Sequence, residues 1–265
     1  MAPDEPDARG GERGEAAIED AIDVWVIAPE ELPGEELARA EPWMTPEERA
    51  RQRAFVFERH RREYLVTRGL VRAVLSRGGA RAPADWTFRR NDYGRPELDP
   101  PCGLAFNLSN HPTLVACAVR RGPLDLGCDV EPLARGPEVL TVADSVFAPA
   151  ELAELRALPA TAQPDRALAL WTLKEAYIKA RGMGLSLPLQ DFAFSFVAGA
   201  TARPSGIAFA PSLADDPRRW RFVCVDALGH RLALAFEDRG GRCAIHVRKL
   251  SGFTSDARVI DLASV

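Results

Sequence analysis

The 265-residue chain is poor in cysteine, histidine and lysine, and each scarcity closes off a class of protein. Its five cysteines (Cys102, Cys117, Cys128, Cys224 and Cys243) form no CxxC pair, and its four histidines are scattered. Neither a disulfide framework nor a zinc site is indicated. No apolar run approaches the roughly 18 residues of a membrane helix, so no membrane partner is expected. The opening MAPDEPDARGGERGEA lacks the basic head and apolar stretch of a signal peptide, and a cytoplasmic location is expected. A Gly-rich phosphate loop after a strand is also missing, which argues against a doubly wound parallel sheet.

What remains is an ordinary globular composition, 46% hydrophobic and 27% charged, long enough for one large domain or two small ones. The net charge of −4 hides an asymmetry. Residues 1–20 carry seven acids against two arginines and read as a disordered acidic tail. Residues 49–90 carry twelve arginines against Glu58, Glu63 and Asp85. Such a stretch points to an anionic partner, although a solvated arginine-rich helix face explains it equally well. Only three of the 34 basic residues are lysines, and two of them, Lys174 and Lys179, share one segment.

Periodicity divides the chain into two halves with the same order of elements. Ile22–Ala28 alternates as a strand. Thr45-Pro46-Glu47-Glu48 is a helix start, and helical spacing runs from there, with a break, to Gly78-Gly79. Trp86–Arg90, Leu104–Asn107 and Thr113–Val119 follow as strands, with a loop over Asn91–Pro101 and a turn at Ser109–Pro112. The second half has a strand at Leu124–Val130, short helices over Glu138–Phe147 and Pro149–Leu158, and a long helix over Asp165–Arg181. Strands at Phe192–Val197, Trp220–Val225, Arg231–Phe236 and Cys243–Val247 complete it. Two similar α+β lobes are expected: residues 21–122, and residues 123–250 carrying the chemistry, with an extension over 251–265.

Three segments carry that chemistry. In LDLGCDVE, Leu124, Leu126, Cys128 and Val130 form an apolar strand face, while Asp125, Gly127, Asp129 and Glu131 line the other. Two carboxylates held together either share a proton or hold a cation, and with no His or Cys nearby a hard ion such as Mg²⁺ or Mn²⁺ suits them. A solvent-facing acidic pair is the plainer alternative. In WTLKEAYIKARGMG, Glu175 and Lys179 lie one helical turn apart with Trp171 on the same side, and Lys174 adds a second ammonium. Leu170, Leu173 and Tyr177 form the stripe that docks this helix. In FNLSNHP, Ser109 and Asn110 offer hydroxyl and amide donors at a turn, as Tyr93-Gly94-Arg95-Pro96 offers one arginine.

Taken together and in this order, YGRP, FNLSN, GCDVE and WTLKEAYIKARGMGLSLPL resemble the Sfp-type 4′-phosphopantetheinyl transferases over roughly Trp43 to Pro188. The resemblance implies two α+β lobes related by a pseudo-two-fold, with coenzyme A and Mg²⁺ in the cleft between them. The activity it implies is transfer of phosphopantetheine from coenzyme A to a serine of an acyl- or peptidyl-carrier protein, releasing 3′,5′-ADP. Fatty-acid, polyketide and nonribosomal peptide carriers all remain open. A monomer is expected, with no nucleic-acid partner.

Carried over residue by residue, the resemblance makes Asp129, Glu131 and Glu175 the metal ligands. It sets Lys179 against the diphosphate, and Arg95, Ser109 and Asn110 at the nucleotide end. Arg51 and Arg68 fall in the basic helical region that lines the coenzyme A site, and Glu151 sits near the reacting centre. The family turn commonly reads Ser-His, whereas here Asn110 follows Ser109 and His111 comes one place later. The attacking serine's proton is expected to pass to Glu175, Glu151 or a water on the metal. A non-catalytic module that binds polyanions through residues 49–90 is the competing reading.

Overall fold

The computed structural model describes residues 20–79, 81–254 and 258–264. The acidic tail expected over residues 1–20 lies outside them, apart from Asp20. The first half comprises β1 (Asp20–Ile27), α1 (Gly34–Ala40), α2 (Pro46–Ala54), α3 (Glu58–Ser76), β2 (Phe88–Arg90), β3 (Pro96–Leu98), β4 (Leu104–His111) and β5 (Leu114–Arg121). Next come β6 (Leu126–Pro132), α4 (Gly136–Thr141), α5 (Ala143–Val146), α6 (Pro149–Ala157) and α7 (Gln163–Arg181). The chain ends with β7 (Phe192–Phe196), β8 (Pro204–Phe209), β9 (Trp220–Ala227), β10 (His230–Glu237), β11 (Cys243–Leu250) and β12 (Val259–Ser264). Among the described residues, no helix is long and apolar enough to cross a membrane.

These elements stack as helix, sheet, sheet, helix, a mixed α+β fold. The larger sheet runs β12-β11-β1-β5-β4 and the smaller β6-β10-β9, with hairpins β2-β3 and β7-β8 beside them. Strand alternation supplies both faces of each sheet. Ile22, Val24 and Val26 of β1 and Leu114, Ala116 and Ala118 of β5 meet Leu126, Cys128 and Val130 of β6 between the sheets. Trp25, Ile27, Val115 and Cys117 point the other way and pack under α3. Ala233 and Ala235 of β10, small enough to admit a helix, lie under α7.

The helices begin and end where their local chemistry dictates. Thr45 caps α2 by accepting from the Glu48 amide at 3.2 Å, while the Glu48 carboxylate accepts from the Thr45 amide at 3.1 Å. α7 stops at Gly182, whose φ of 63° returns its amide to the carbonyls of Ile178 and Lys179. Two expectations are corrected. The strand near residue 243, assigned to the second half, runs parallel to β1 and extends the larger sheet, because its alternating Ile245 and Val247 complete the inter-sheet core. The turn expected at Ser109–Pro112 is strand as far as His111, since β4 pairs with the apolar β5 residue by residue up to His111 and Leu114.

One glycine decides how the site is built. A Cβ added at Gly127 of β6 would sit 1.9 Å from the Ala176 carbonyl oxygen and 2.4 Å from the Ala180 nitrogen. Only glycine lets the α7 backbone approach β6 so closely. Asp129 and Glu131 share the Gly127 face of the strand, so that contact turns both carboxylates toward α7.

Candidate active site at the contact of β6 and α7

Asp129 is buried, and its two oxygens are treated differently. Oδ1 accepts from Lys179 Nζ at 2.7 Å and from the Ser109 hydroxyl at 2.9 Å. Oδ2 is buried without a hydrogen-bond partner. Burial pushes the Asp129 carboxyl above its ordinary value; Lys179 opposes this and the neighbouring Glu131 charge adds to it. Burial works against charging Lys179, yet Asp129 holds its ammonium above the usual lysine range.

Glu175 faces the same space from α7. Burial, and then the Asp129 charge, push its carboxyl up from 4.5 to about 7. Glu131 acts in the same sense. Its own Oε1 accepts from Arg135 Nη1 at 2.5 Å and from the Trp171 indole at 2.9 Å. The Asp129 and Glu131 charges thus both bear on Glu175, with Lys179 and Arg135 opposing them.

Ser109 fastens the strands beneath this cluster. Its hydroxyl oxygen accepts from the Val130 amide at 3.1 Å and from Lys179 Nζ at 2.9 Å, while its proton goes to Asp129. Two residues earlier, Asn107 Oδ1 accepts from the Cys128 amide at 3.0 Å. The polar side chains of FNLS therefore satisfy the free edge of β6, which no ladder pairs with β4. Ser109 is buried and fully engaged rather than presented at a turn.

The remaining expected residues divide. Arg51 and Arg68 line a cleft of about 530 Å³ on the α2–α3 face, together with Thr45, Tyr64, Arg72 and Arg90. The Nε atoms of Arg68 and Arg72 are buried there without partners, and Glu48 is their shared counter-charge, 3.7 Å and 2.8 Å away. Asn110 donates its amide to Glu63 of α3, which also meets His60 at 3.2 Å. Arg95, expected at the nucleotide end, donates to the Ala180 carbonyl at 2.9 Å and to Glu97 at 3.1 Å.

Glu151 does not join the cluster. Its carboxylate caps α6 through the Ala148 amide at 2.8 Å, accepts from the Phe194 amide at 2.8 Å and pairs with Lys174 at 2.8 Å. Both members of that pair are wholly buried, and burial pushes each toward its neutral form. Lys174 also donates to the carbonyls of Leu189 and Phe192 at 2.7 Å and 2.6 Å, so it has nothing left for a phosphate. One residue from Glu175 is about 100° around the helix, which turns Lys174 into the core.

Much of the basic stretch is likewise spent internally. Arg61 donates to the Phe55 carbonyl at 2.7 Å and Arg62 to the Pro29 carbonyl at 2.6 Å, while Arg49 reaches Met44. Arg51, Arg53, Arg59, Arg77, Arg89 and Arg90 of the same stretch stay exposed. The residues missed from sequence are Asn107, Arg135 and the indole role of Trp171. Their one signal was spacing: Trp171 is a turn before Glu175, and Arg135 is four residues after Glu131.

Among the described residues, no group of three or more His, Cys, Asp and Glu side chains is arranged to hold a metal ion. Glu131 is turned to Arg135 and Trp171, and one Asp129 oxygen is turned to Lys179. The donor set nevertheless fits a hard divalent cation. It is all oxygen, it carries excess negative charge, and Asp129 Oδ2 is a buried acceptor with no proton donor.

A profile of the 4′-phosphopantetheinyl transferase superfamily matches residues 125–236, the span holding Asp129, Glu131, Glu175 and Lys179. The chain is 32% identical over 172 residues to 4′-phosphopantetheinyl transferase HetI of Nostoc sp., covering 64% of this chain and 72% of that protein. It is 34% identical over 161 residues to 4′-phosphopantetheinyl transferase Sfp of Bacillus subtilis, covering 61% and 70%. A further 4′-phosphopantetheinyl transferase of Bacillus subtilis is 31% identical over 149 residues, covering 56% and 65%.

Proposed function

Because the chain belongs to the 4′-phosphopantetheinyl transferase family, we propose that it moves 4′-phosphopantetheine from coenzyme A onto a carrier-protein serine. The reaction depends on Mg²⁺ and releases 3′,5′-ADP. The observation that carries this reading is the buried Asp129, one oxygen held by Lys179 and Ser109 and the other without a partner, across from Glu175.

Asp129, Glu131 and Glu175 are the residues that would hold Mg²⁺, which when bound supplies positive charge to the diphosphate. Phosphoryl transfer asks mainly for positioning and charge, and this chain's side chains supply both. Lys179, kept protonated by Asp129, presents an ammonium to the oxygens that gain charge as 3′,5′-ADP leaves. Arg51 and Arg68 take the phosphates of the nucleotide in the cleft on α3, with Arg72 behind them. Asn110 keeps one amide hydrogen for the nucleotide end after serving Glu63.

The serine oxygen forms the new bond to the phosphorus carrying the pantetheine arm. The bond from that phosphorus to the bridging oxygen breaks, and its electron pair leaves with 3′,5′-ADP. Glu151 is sealed against Lys174, so the serine's proton goes to Glu175 or to water.

The test is incubation with coenzyme A, Mg²⁺ and a panel of apo-carrier proteins, read by mass spectrometry. A phosphopantetheine adduct on the carrier serine is the expected result. Unmodified carriers throughout the panel would overturn the proposal.

A further inference from the structure

The loop between β2 and β3 reaches across the molecule to the end of α7. Asn91 donates its side-chain amide to the Gly182 carbonyl at 2.8 Å, and Arg95 donates to the Ala180 carbonyl at 2.9 Å. The last carbonyls of a helix have no partner within it, and they carry the negative end of its dipole. Gly182 satisfies two of them through its own amide, and the loop satisfies the next. The fit is close: a Cβ at Gly182 would stand 2.6 Å from the Arg95 guanidinium carbon.

Asn91 is built to do two things at once. Its Oδ1 accepts from the Tyr93 and Arg95 amides at 3.0 Å and 2.9 Å, which shapes the loop and aims Arg95. Its Nδ2 is thereby left facing α7, so the amide orientation follows from the three hydrogen bonds together. Glu97 accepts from Arg95 at 3.1 Å and steadies the guanidinium from behind. Lys179 stands in the turn that this loop clamps, and its ammonium reaches Asp129 and Ser109 from there.

We infer that Asn91 and Arg95 form a latch from the first half of the chain onto the end of α7. They are positioning residues that act through Lys179. Whether the latch matters to turnover rests on the transferase reading above; the latch itself does not.

The experiment uses the full chain with two variants. Arg95→Ala removes the guanidinium, while Asn91→Asp keeps the Oδ1 that shapes the loop and replaces the donor to Gly182 with a carboxylate oxygen that the carbonyl repels. Each should lower kcat about tenfold with KM for coenzyme A within about twofold. Arg95→Lys should recover part of the loss. In a Lys179→Ala background, Arg95→Ala should cost little more, because both act on one group. A rise in KM at unchanged kcat, or losses that multiply with Lys179→Ala, would overturn the inference and return Arg95 to the ligand. Amide hydrogen exchange over residues 178–182 reads the latch without turnover. Exchange about tenfold faster in both variants is expected even if no carrier is ever modified, and unchanged exchange would overturn the latch.

Discussion

At the scale of single residues, Glu175 ties the electrostatics of the site to an observable. It holds its proton to about pH 7 in the folded chain but releases it near 4.5 when unfolded. The folded state therefore binds more protons between those values, so stability falls as pH rises from 4.5 to 7 and then levels off. Urea midpoints of the ligand-free protein measured across that window should show the decline, and Glu175→Gln should flatten it. An identical slope in the variant would contradict the burial and charge argument. Glu151 gives a contrasting prediction. Glu151→Ala strands the Lys174 ammonium in the core and should cost about 3–5 kcal/mol of stability. The folded fraction should turn over at nearly the parent kcat, and loss of kcat without loss of stability would return Glu151 to the reaction. The sequence leaves both acids open as takers of the serine's proton. Glu151 lies in an ordinary helix start, and its partner Lys174 is 23 residues away, so only packing could pair them.

At the scale of elements, the β6–α7 contact is the device that assembles the site, and Gly127 is its weak point. Gly127→Ala drives a methyl into the Ala176 carbonyl, so α7 must lift from β6 and carry Glu175 and Lys179 away from Asp129. A loss of more than about 2 kcal/mol in thermal unfolding is expected, with transfer lost in parallel. A variant of parent stability would show that the helix can slide at no cost. Much of this contact was legible beforehand. A period of two grouped Gly127, Asp129 and Glu131, and a period of 3.6 grouped Trp171, Glu175 and Lys179. What the pattern could not supply was the identity of each opposing face. The polar face of β6 meets a helix rather than water, and Lys174 faces the core. FNLSN was likewise visible as a polar segment, yet its acceptors serve the edge of β6, a partner about 20 residues away that local turn chemistry does not reveal.

At the scale of the whole molecule, four layers bring together residues from both halves of the chain. Ser109 and the Asn91–Arg95 loop come from the first half, and Asp129, Glu175 and Lys179 from the second. The element order and the mixed α+β class followed from periodicity. The return of β11 to β1 did not, because a strand's periodicity shows that it is buried but not which sheet takes it. The arginine-rich stretch was legible only in part for a related reason. Composition counts charges, whereas the fold spends several guanidinium groups on backbone carbonyls and keeps others for one cleft. The claim common to all three scales is that transfer requires the carboxylate cluster around Asp129. Initial rates of carrier modification by the parent and by Asp129→Ala, across a series of Mg²⁺ concentrations, test it most directly. The expected rate for Asp129→Ala is lower by on the order of a hundredfold or more at every Mg²⁺ concentration, with the fold intact. A variant that matched the parent rate in the presence of Mg²⁺ would contradict the account.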